Sequence, residues 1–281
     1  MVPDDLKEFI YSIFENRYIR LTPSDLERMV RQSPQACSAK KVRSAIKEMV
    51  AEGSLFYSNH FNTSHLELNF CRPVRVSPRI VLMPYGQTCA DAGDGMKKIT
   101  LLQGSAFGIG DHPTTRLSLR AVDNVMNLLV TEGMNSEIRA LDIGTGSGVL
   151  AMAAVKLGAE KVVAVDIDHM ALYEACNNFR LNDMASAIVA TDSPIDNLAP
   201  ASFDLIMANL RPPTLKQILP RVEALSSELC HWIISGFRQE AMEEVARILP
   251  QGKTEILSRD VSCEWGALTL RYFHSKLQAE K

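Results

Sequence analysis

The sequence lacks the bulk features that would settle its chemistry from composition. It has no excess of positive charge: 30 Lys and Arg against 33 Asp and Glu give a formal net charge of -3. The chain as a whole is therefore not drawn to nucleic acid or to an anionic membrane, and any such surface has to be local. Six cysteines, at positions 37, 71, 89, 176, 230 and 263, are scattered without a C-x-x-C pair. That excludes a zinc knuckle or redox motif, leaves no metal expected, and reads as reduced, mostly buried thiols of a cytoplasmic protein. No apolar run approaches the ~20 residues needed to cross a bilayer. The start, Met1-Val2-Pro3-Asp4-Asp5, is acidic where a secretory leader is basic. Repeats and low-complexity tracts are missing as well. What is present is a chain of 281 residues, 46% hydrophobic, long enough to bury a large core and carry a smaller second domain.

Periodicity supplies the organisation. Leu6, Phe9, Ile10, Ile13 and Phe14 follow the i, i+3, i+4, i+7, i+8 stripe of an amphipathic helix. Thr22-Pro23-Ser24-Asp25 reads as an N-cap, a proline at the first helical position and an acid in the first turn of a second helix running to about Arg31. A third helix starts at Ser38, places Val42, Ala45, Ile46, Met49 and Val50 on one face, and stops at Gly53. Two β-prone runs, Leu55-Phe56-Tyr57 and Leu66-Glu67-Leu68-Asn69-Phe70, flank the polar stretch 59–64 as in a hairpin. Residues 1–72 are thus expected to form a small winged-helix-like α+β domain. Residues 73–100, with Pro73, Pro78, Pro84 and an Asp/Gly cluster at 91–95, read as an extended linker and β-hairpin. Within 101–281, strand-like runs at 138–143, 161–166, 187–191, 203–208 and 229–235 alternate with helical patterns at 149–157, 170–181 and 215–225. That alternation predicts an α/β domain with a mostly parallel sheet. Runs at 254–257 and 267–273 would add an antiparallel edge hairpin.

The first of those strands ends in Asp142-Ile143-Gly144-Thr145-Gly146-Ser147-Gly148. In an open parallel sheet the ligand crevice lies outside the carboxyl ends of the strands, at this kind of turn. Glycine permits positive φ and lets the backbone approach a ligand more closely than a Cβ would allow. A dinucleotide fingerprint, G-x-G-x-x-G or A, would need a small residue where Val149 stands. The G-x-G-x-G spacing, with Asp142 ahead of it and Asp166 at the end of the next strand, matches the acid pair usual in methyltransferases. Asp166 is placed to accept hydrogen bonds from a ribose diol. Asp192, after the third strand, either approaches an adenine amine or is a turn residue.

Further segments carry a resemblance. Ala106-Phe107-Gly108-Ile109-Gly110-Asp111-His112-Pro113-Thr114-Thr115, the glycine turn, Asp166-Ile167-Asp168, Met207-Ala208-Asn209-Leu210 and Glu264-Trp265 occur in that order. Over about residues 104–273 the chain resembles the bacterial ribosomal-protein methyltransferase (PrmA-like) family. The resemblance implies a Rossmann-like class I methyltransferase domain that uses S-adenosylmethionine as methyl donor. It implies donor contacts by Thr115, Gly144, Asp166 and Asn209, with Thr114 and Gly146 beside them and Asn209 also facing the nucleophile. Residues 106–115 suit a flap that excludes water from the donor. His112, next to Pro113, reads as a loop anchor rather than a general base. Asn209 resembles the Asn of the N-P-P-Y motif of amine methyltransferases, but Leu210 and Arg211 precede Pro212-Pro213, so that motif's aromatic clamp is absent.

The family recognises its ribosomal substrate through a ferredoxin-like amino-terminal domain, and residues 1–72 do not have that pattern. Lys40, Lys41, Arg43 and Lys47 would let residues 38–52 contact phosphates. Nine acids between Asp4 and Glu67 nearly balance the bases there, so a protein-contact or dimerisation role is equally open. The expected function is N-methylation of a protein amine, with a ribosomal protein as partner and no membrane. The alternatives are methylation of RNA or a small molecule, and a catalytically inactive, donor-sensing regulator that binds nucleic acid.

Overall fold

The computed structural model describes residues 4–17, 21–60, 63–68, 73–87, 95–102, 104, 107–108, 110, 112–133, 137–198 and 202–274. Cys71, Cys89, the centre of the expected hairpin tip, residues 91–94, and Ala106, Ile109 and Asp111 of the flap lie outside them. The chain divides into two compact units, Met1–Val74 and Arg75–Lys281.

In the first unit, helices α1 (Asp4–Arg17), α2 (Pro23–Arg31) and α3 (Ala39–Ala51) precede strands β1 (Leu55–His60) and β2 (Thr63–Leu68), which pair antiparallel from Leu55↔Leu68 to His60↔Thr63. The caps are those read from the sequence: Thr22 Oγ1 accepts from the Asp25 amide at 3.1 Å, and Ser38 Oγ from the Lys41 amide at 3.4 Å. The helical stripes meet in one core of Leu6, Ile10, Phe14, Leu26, Val30, Val42, Ile46, Met49, Leu55 and Leu66. Neighbouring helices engage part of the polar face of α3. Arg43 pairs with Glu27 of α2 at 2.6 Å, and Lys7 of α1 bridges Glu48 and Glu52 at 3.0 and 2.6 Å.

The division falls in the two-residue strand β3 (Val74–Arg75), followed by β4 (Ile80–Pro84) and β5 (Lys97–Leu101). Here the structure differs from the expected linker and hairpin. β4 and β5 pair in parallel, Ile80↔Lys97 to Pro84↔Leu101, so their connection is a crossover rather than a tight turn. Ile80, Leu82, Ile99 and Leu101 are buried, and Arg79 is tied by its side chain and its amide to the buried Asp123 carboxylate. These contacts make the segment part of the second unit's packing.

Asp123 belongs to α4 (Pro113–Thr131), a 19-residue helix that the sequence reading did not extract. The rest is β6 (Arg139–Ile143), α5 (Val149–Lys156), β7 (Lys161–Val165), α6 (His169–Leu181), β8 (Ile188–Thr191), β9 (Phe203–Asn209), α7 (Pro212–Leu225), β10 (Ser226–Arg238), α8 (Met242–Arg247), β11 (Thr254–Ser262) and β12 (Trp265–Phe273). These strands form one seven-stranded sheet in the order β11-β12-β10-β9-β6-β7-β8. The five strands from β10 to β8 run parallel, while β12 pairs antiparallel with both β10 and β11. The sheet is the Rossmann-like class I arrangement, with the terminal hairpin as expected. The chain moves outward from β6 to β7 and β8, then returns to the other side of β6 as β9. That reversal is the topological switch point where ligands of open α/β sheets bind. On one face α7 and α8 cover a core that includes Leu141, Ile206, Trp232, Ile234, Leu270 and Tyr272, with the Trp232 and Tyr272 rings stacked at 4.7 Å. Helix α4 packs against β10, β12 and α5.

Candidate functional site

At the carboxyl ends of β6, β7 and β9 lies a cavity of about 570 Å³, lined among others by Phe107, Thr114, Gly144, Gly146, Asp166, Asn209 and Trp265. Five sequence-predicted residues thus border one space: Thr114, Gly144, Gly146, Asp166 and Asn209. The volume falls in the usual range for a small-molecule or cofactor site.

Two of these residues carry the polar chemistry. Asp166, leaving β7, accepts the Gly146 amide on one carboxylate oxygen at 2.9 Å and the Asp168 amide on the other at 3.0 Å. Each carboxylate oxygen has a further lone pair to offer, so the group is oriented by backbone before any ligand arrives. Asn209, the last residue of β9, has a buried Oδ1 with no hydrogen-bond partner among the described residues. Buried polar atoms are nearly always paired, and one left unpaired beside a cavity fits a missing ligand donor.

Three predicted residues stand off the cavity lining. Asp142 is fully buried. Its Oδ2 accepts from Thr145 Oγ1 at 2.6 Å and from the Ala151 amide at 3.2 Å, which fixes the turn to the start of α5. Burial raises its pKa to about 6, against the pull of those two hydrogen bonds. Thr115 is buried with its hydroxyl unpartnered among the described residues. Asp192 is largely exposed and sits 3.6 Å from His169 Nδ1.

The glycines act differently from the expectation. A Cβ on Gly144 would come within 2.5 Å of the Leu210 side chain, one on Gly146 would strike the Phe107 carbonyl, and one on Gly148 the Phe179 ring. What approaches the turn closely is therefore neighbouring protein. Ser147 joins this packing: its amide donates to the Phe107 carbonyl at 2.9 Å and its hydroxyl to the Gly108 carbonyl at 2.8 Å. Phe107 and Gly108 of the 106–115 segment are thus docked on the glycine turn. His112 caps α4, with Nδ1 accepting the Thr114 amide at 3.3 Å, which is the anchoring role read from the sequence.

One wall of the cavity is aromatic. The His112 ring lies 5.0 Å from that of Phe107 and 4.6 Å from that of Trp265, whose other neighbour is the Arg238 guanidinium at 4.4 Å. Trp265 follows the β11–β12 turn, where Cys263 and Glu264 both have positive φ, the conformation of a two-residue type I′ hairpin turn. Arg211 and Thr214, at the start of α7, line the cavity too. Phe107, His112 and Trp265 stand in segments that carry the resemblance, whereas no local motif marks Arg238 and Thr214, because strand register and helix entry bring them in. Of the four described cysteines only Cys230 is buried, where burial pushes its thiol pKa up to about 12. Among the described residues no cluster of His, Cys, Asp or Glu is arranged to hold a metal, and no helix is long and apolar enough to cross a membrane.

Residues 59–272 match the family model of ribosomal protein L11 methyltransferase (PrmA). A ribosomal protein L11 methyltransferase of Pelobacter propionicus is 34% identical over 212 residues, covering 74% of this chain and 66% of that protein. One from Geotalea uraniireducens is 31% identical, covering 72% of this chain and 65% of that protein. The chain therefore spans just under two-thirds of the length of these relatives. The crystal structure of a ribosomal protein L11 methylase from Lactobacillus delbrueckii subsp. bulgaricus superposes with a TM-score of 0.63 at 26% identity, over 72% of this chain and all of that one. With a model match across most of its length and a sheet whose switch point carries the matching turn, the chain belongs to the ribosomal protein L11 methyltransferase family.

Proposed function

We propose that the protein is an S-adenosylmethionine-dependent methyltransferase that N-methylates an amine of a ribosomal protein, with the cavity at the switch point holding donor and acceptor. The observation that carries this reading is the pairing, around one cavity, of a backbone-oriented carboxylate with an unpartnered amide oxygen: Asp166 and Asn209. The relatives' names supply the acceptor class.

In this reading Asp166 takes the ribose hydroxyls, and Gly144, Gly146 and Thr114 border the donor. The buried Thr115 hydroxyl is a further candidate contact, and Asp192 stands at the adenine end. When bound, S-adenosylmethionine supplies a methyl group on a positively charged sulfur. Asn209 Oδ1 accepts a hydrogen bond from the acceptor amine and so turns the nitrogen lone pair toward the cavity. The apolar faces of Phe107, Leu210 and Trp265 disfavour a charged ammonium and favour the neutral nucleophile by desolvation. Holding nucleophile and methyl in line then accounts for the catalysis, and no residue is assigned as a base. The first unit, winged-helix-like in its element order, would present the acceptor. The Glu27–Arg43 pair takes up one of the four bases of α3. With a ribosomal acceptor, the reading is of a cytoplasmic protein.

The test is incubation with labelled donor and a fractionated lysate, then identification of the labelled molecule. Label in a ribosomal protein is expected. Label confined to RNA or small metabolites would replace the acceptor assignment, and absence of donor binding by calorimetry would overturn the enzyme reading.

A further inference from the structure

One face of α6 is matched to the chain segment that leads into the site. Asn182 pairs with both backbone groups of Thr100, accepting from its amide at 2.8 Å and donating to its carbonyl at 2.7 Å. Four residues earlier, Asn178 Oδ1 accepts the Leu102 amide at 2.9 Å. Four earlier again, the Glu174 carboxylate lies so close to Gly104 that a Cβ there would run into it. Helix positions four apart advance about 6 Å, and alternate residues of an extended chain advance about 6.6 Å. The spacing 182, 178, 174 on the helix therefore keeps step with 100, 102, 104 on the segment, and α6 satisfies backbone groups that a neighbouring strand would otherwise pair.

Asn178 does more than hold this edge. It is buried, and its Nδ2 donates to the Ser147 carbonyl at 2.9 Å, inside the glycine turn. Ser147 in turn holds Phe107 and Gly108 through its amide and hydroxyl. A single amide side chain thus links the Leu102 end of the segment to the turn, and the turn holds the Phe107 end.

We propose that Asn178 is a positioning residue for the methyl-donor site. It ties Leu102 and, through Ser147, Phe107 and Gly108 to the glycine turn, so that Phe107 borders the cavity beside Gly146 and Asp166. Asn182 shares the anchoring of β5 but has no bond to the turn. This rests on the donor-site reading of the cavity, and the experiment separates the two. Asn178→Leu, Asn178→Asp and Asn182→Leu would be compared in the full chain by melting temperature, calorimetric affinity for S-adenosylhomocysteine, and amide hydrogen exchange at Leu102 and Ser147. Asp keeps the acceptor for Leu102 but cannot donate to Ser147. Both Asn178 variants are expected to weaken affinity at least about 5-fold, the scale of one lost buried hydrogen bond, and to speed exchange of the Ser147 amide. Asn182→Leu should lower the melting temperature with affinity within about 2-fold. Affinity and Ser147 exchange unchanged in both Asn178 variants would overturn the proposal, as would an equal affinity loss in Asn182→Leu. If the unsubstituted protein binds no S-adenosylhomocysteine, the donor reading fails, and a faster Ser147 exchange in the Asn178 variants would still register the link between segment and turn.

Discussion

Replacing His231 by phenylalanine should change how the stability of the second unit depends on pH. His231 lies in β10, fully buried, with neither ring nitrogen hydrogen-bonded to a described residue. It pairs across the sheet with Arg271 of β12, whose guanidinium contacts Glu132 at 2.6 Å and Glu255 at 3.7 Å. Burial, with a contribution from the Arg271 charge, lowers the His231 pKa to about 4. In the unfolded chain it returns to its ordinary 6.5. Between these values the unfolded state holds a proton that the folded state does not, so this group's contribution to stability rises with pH from about 4 to 6.5 and is constant above. At about 1.4 kcal/mol per pH unit the span is worth about 3 kcal/mol. Asp142 acts in the opposite sense. Its folded pKa of about 6 lies above the ordinary 3.8, so the folded state holds the extra proton and stability falls as pH rises through that window, by about 3 kcal/mol. The two slopes nearly cancel between about pH 4 and 6, and the phenylalanine variant should expose the Asp142 slope. Both tryptophans, Trp232 and Trp265, lie in this unit, so fluorescence-detected urea unfolding at a series of pH values reports it alone. Subtracting the variant's free energy from the parent's at each pH removes every other carboxylate. The difference should climb by about 3 kcal/mol from pH 4 to 6.5 and then level off. At pH 7 the variant should be at least as stable as the parent, since it buries no unpaired ring nitrogen. A difference independent of pH would refute the reasoning.

Two further outcomes follow from the site. Asp166→Ala removes the acceptor for the Gly146 and Asp168 amides together with the proposed ribose contact, so calorimetric donor affinity should fall at least ~10-fold; an unchanged affinity would take Asp166 out of the site. Gly146→Ala puts a Cβ against the Phe107 carbonyl at φ 56°, which should cost about 1–3 kcal/mol and weaken donor binding; parental melting and affinity would show that the turn and Phe107 do not approach this closely in solution.

Where the sequence was legible, local physics agreed with the fold. Thr22 and Ser38 cap the helices they were read as starting, and the central strands β6, β7 and β9 appear within a few residues of their apolar runs because most of their residues are buried. Helix α4 was overlooked although Leu117, Ala121, Val122, Val125, Met126 and Leu129 form a helical stripe behind Pro113. Arg116, Ser118 and Asp123 interrupt that stripe as apparent surface, yet all three are buried, Arg116 on the Gly110 carbonyl and Asp123 on Arg79. Tertiary partners that lie far off in sequence turn polar residues into core. The prolines at 78 and 84 similarly suggested a linker, whereas β4 and β5 pair with each other in parallel, held by the Arg79 anchor and, on the outer side of β5, by the Asn182 amide.

The glycine turn shows where sequence logic and structure reach the same site by different physics. Gly144, Gly146 and Gly148 were read as room for a ligand, yet each accommodates a different piece of protein: Leu210 after β9, Phe107 ahead of α4, and Phe179 on α6. Those three pieces carry or adjoin Asn209, His112 and Asn178. The G-x-G-x-G spacing is therefore a junction at which the elements forming the cavity converge. Val149, where a dinucleotide site needs a small residue, is buried as the first residue of α5. Close helix packing is provided one position earlier, by Gly148 against Phe179, and Asn178 beside that ring bonds the Ser147 carbonyl. The turn thus fixes Phe107 and Leu210 as cavity walls while leaving Asp166 and Asn209 their free acceptor capacity; a substitution at Gly144 or Gly146 should act first on those walls, and one at Gly148 on the packing of α6.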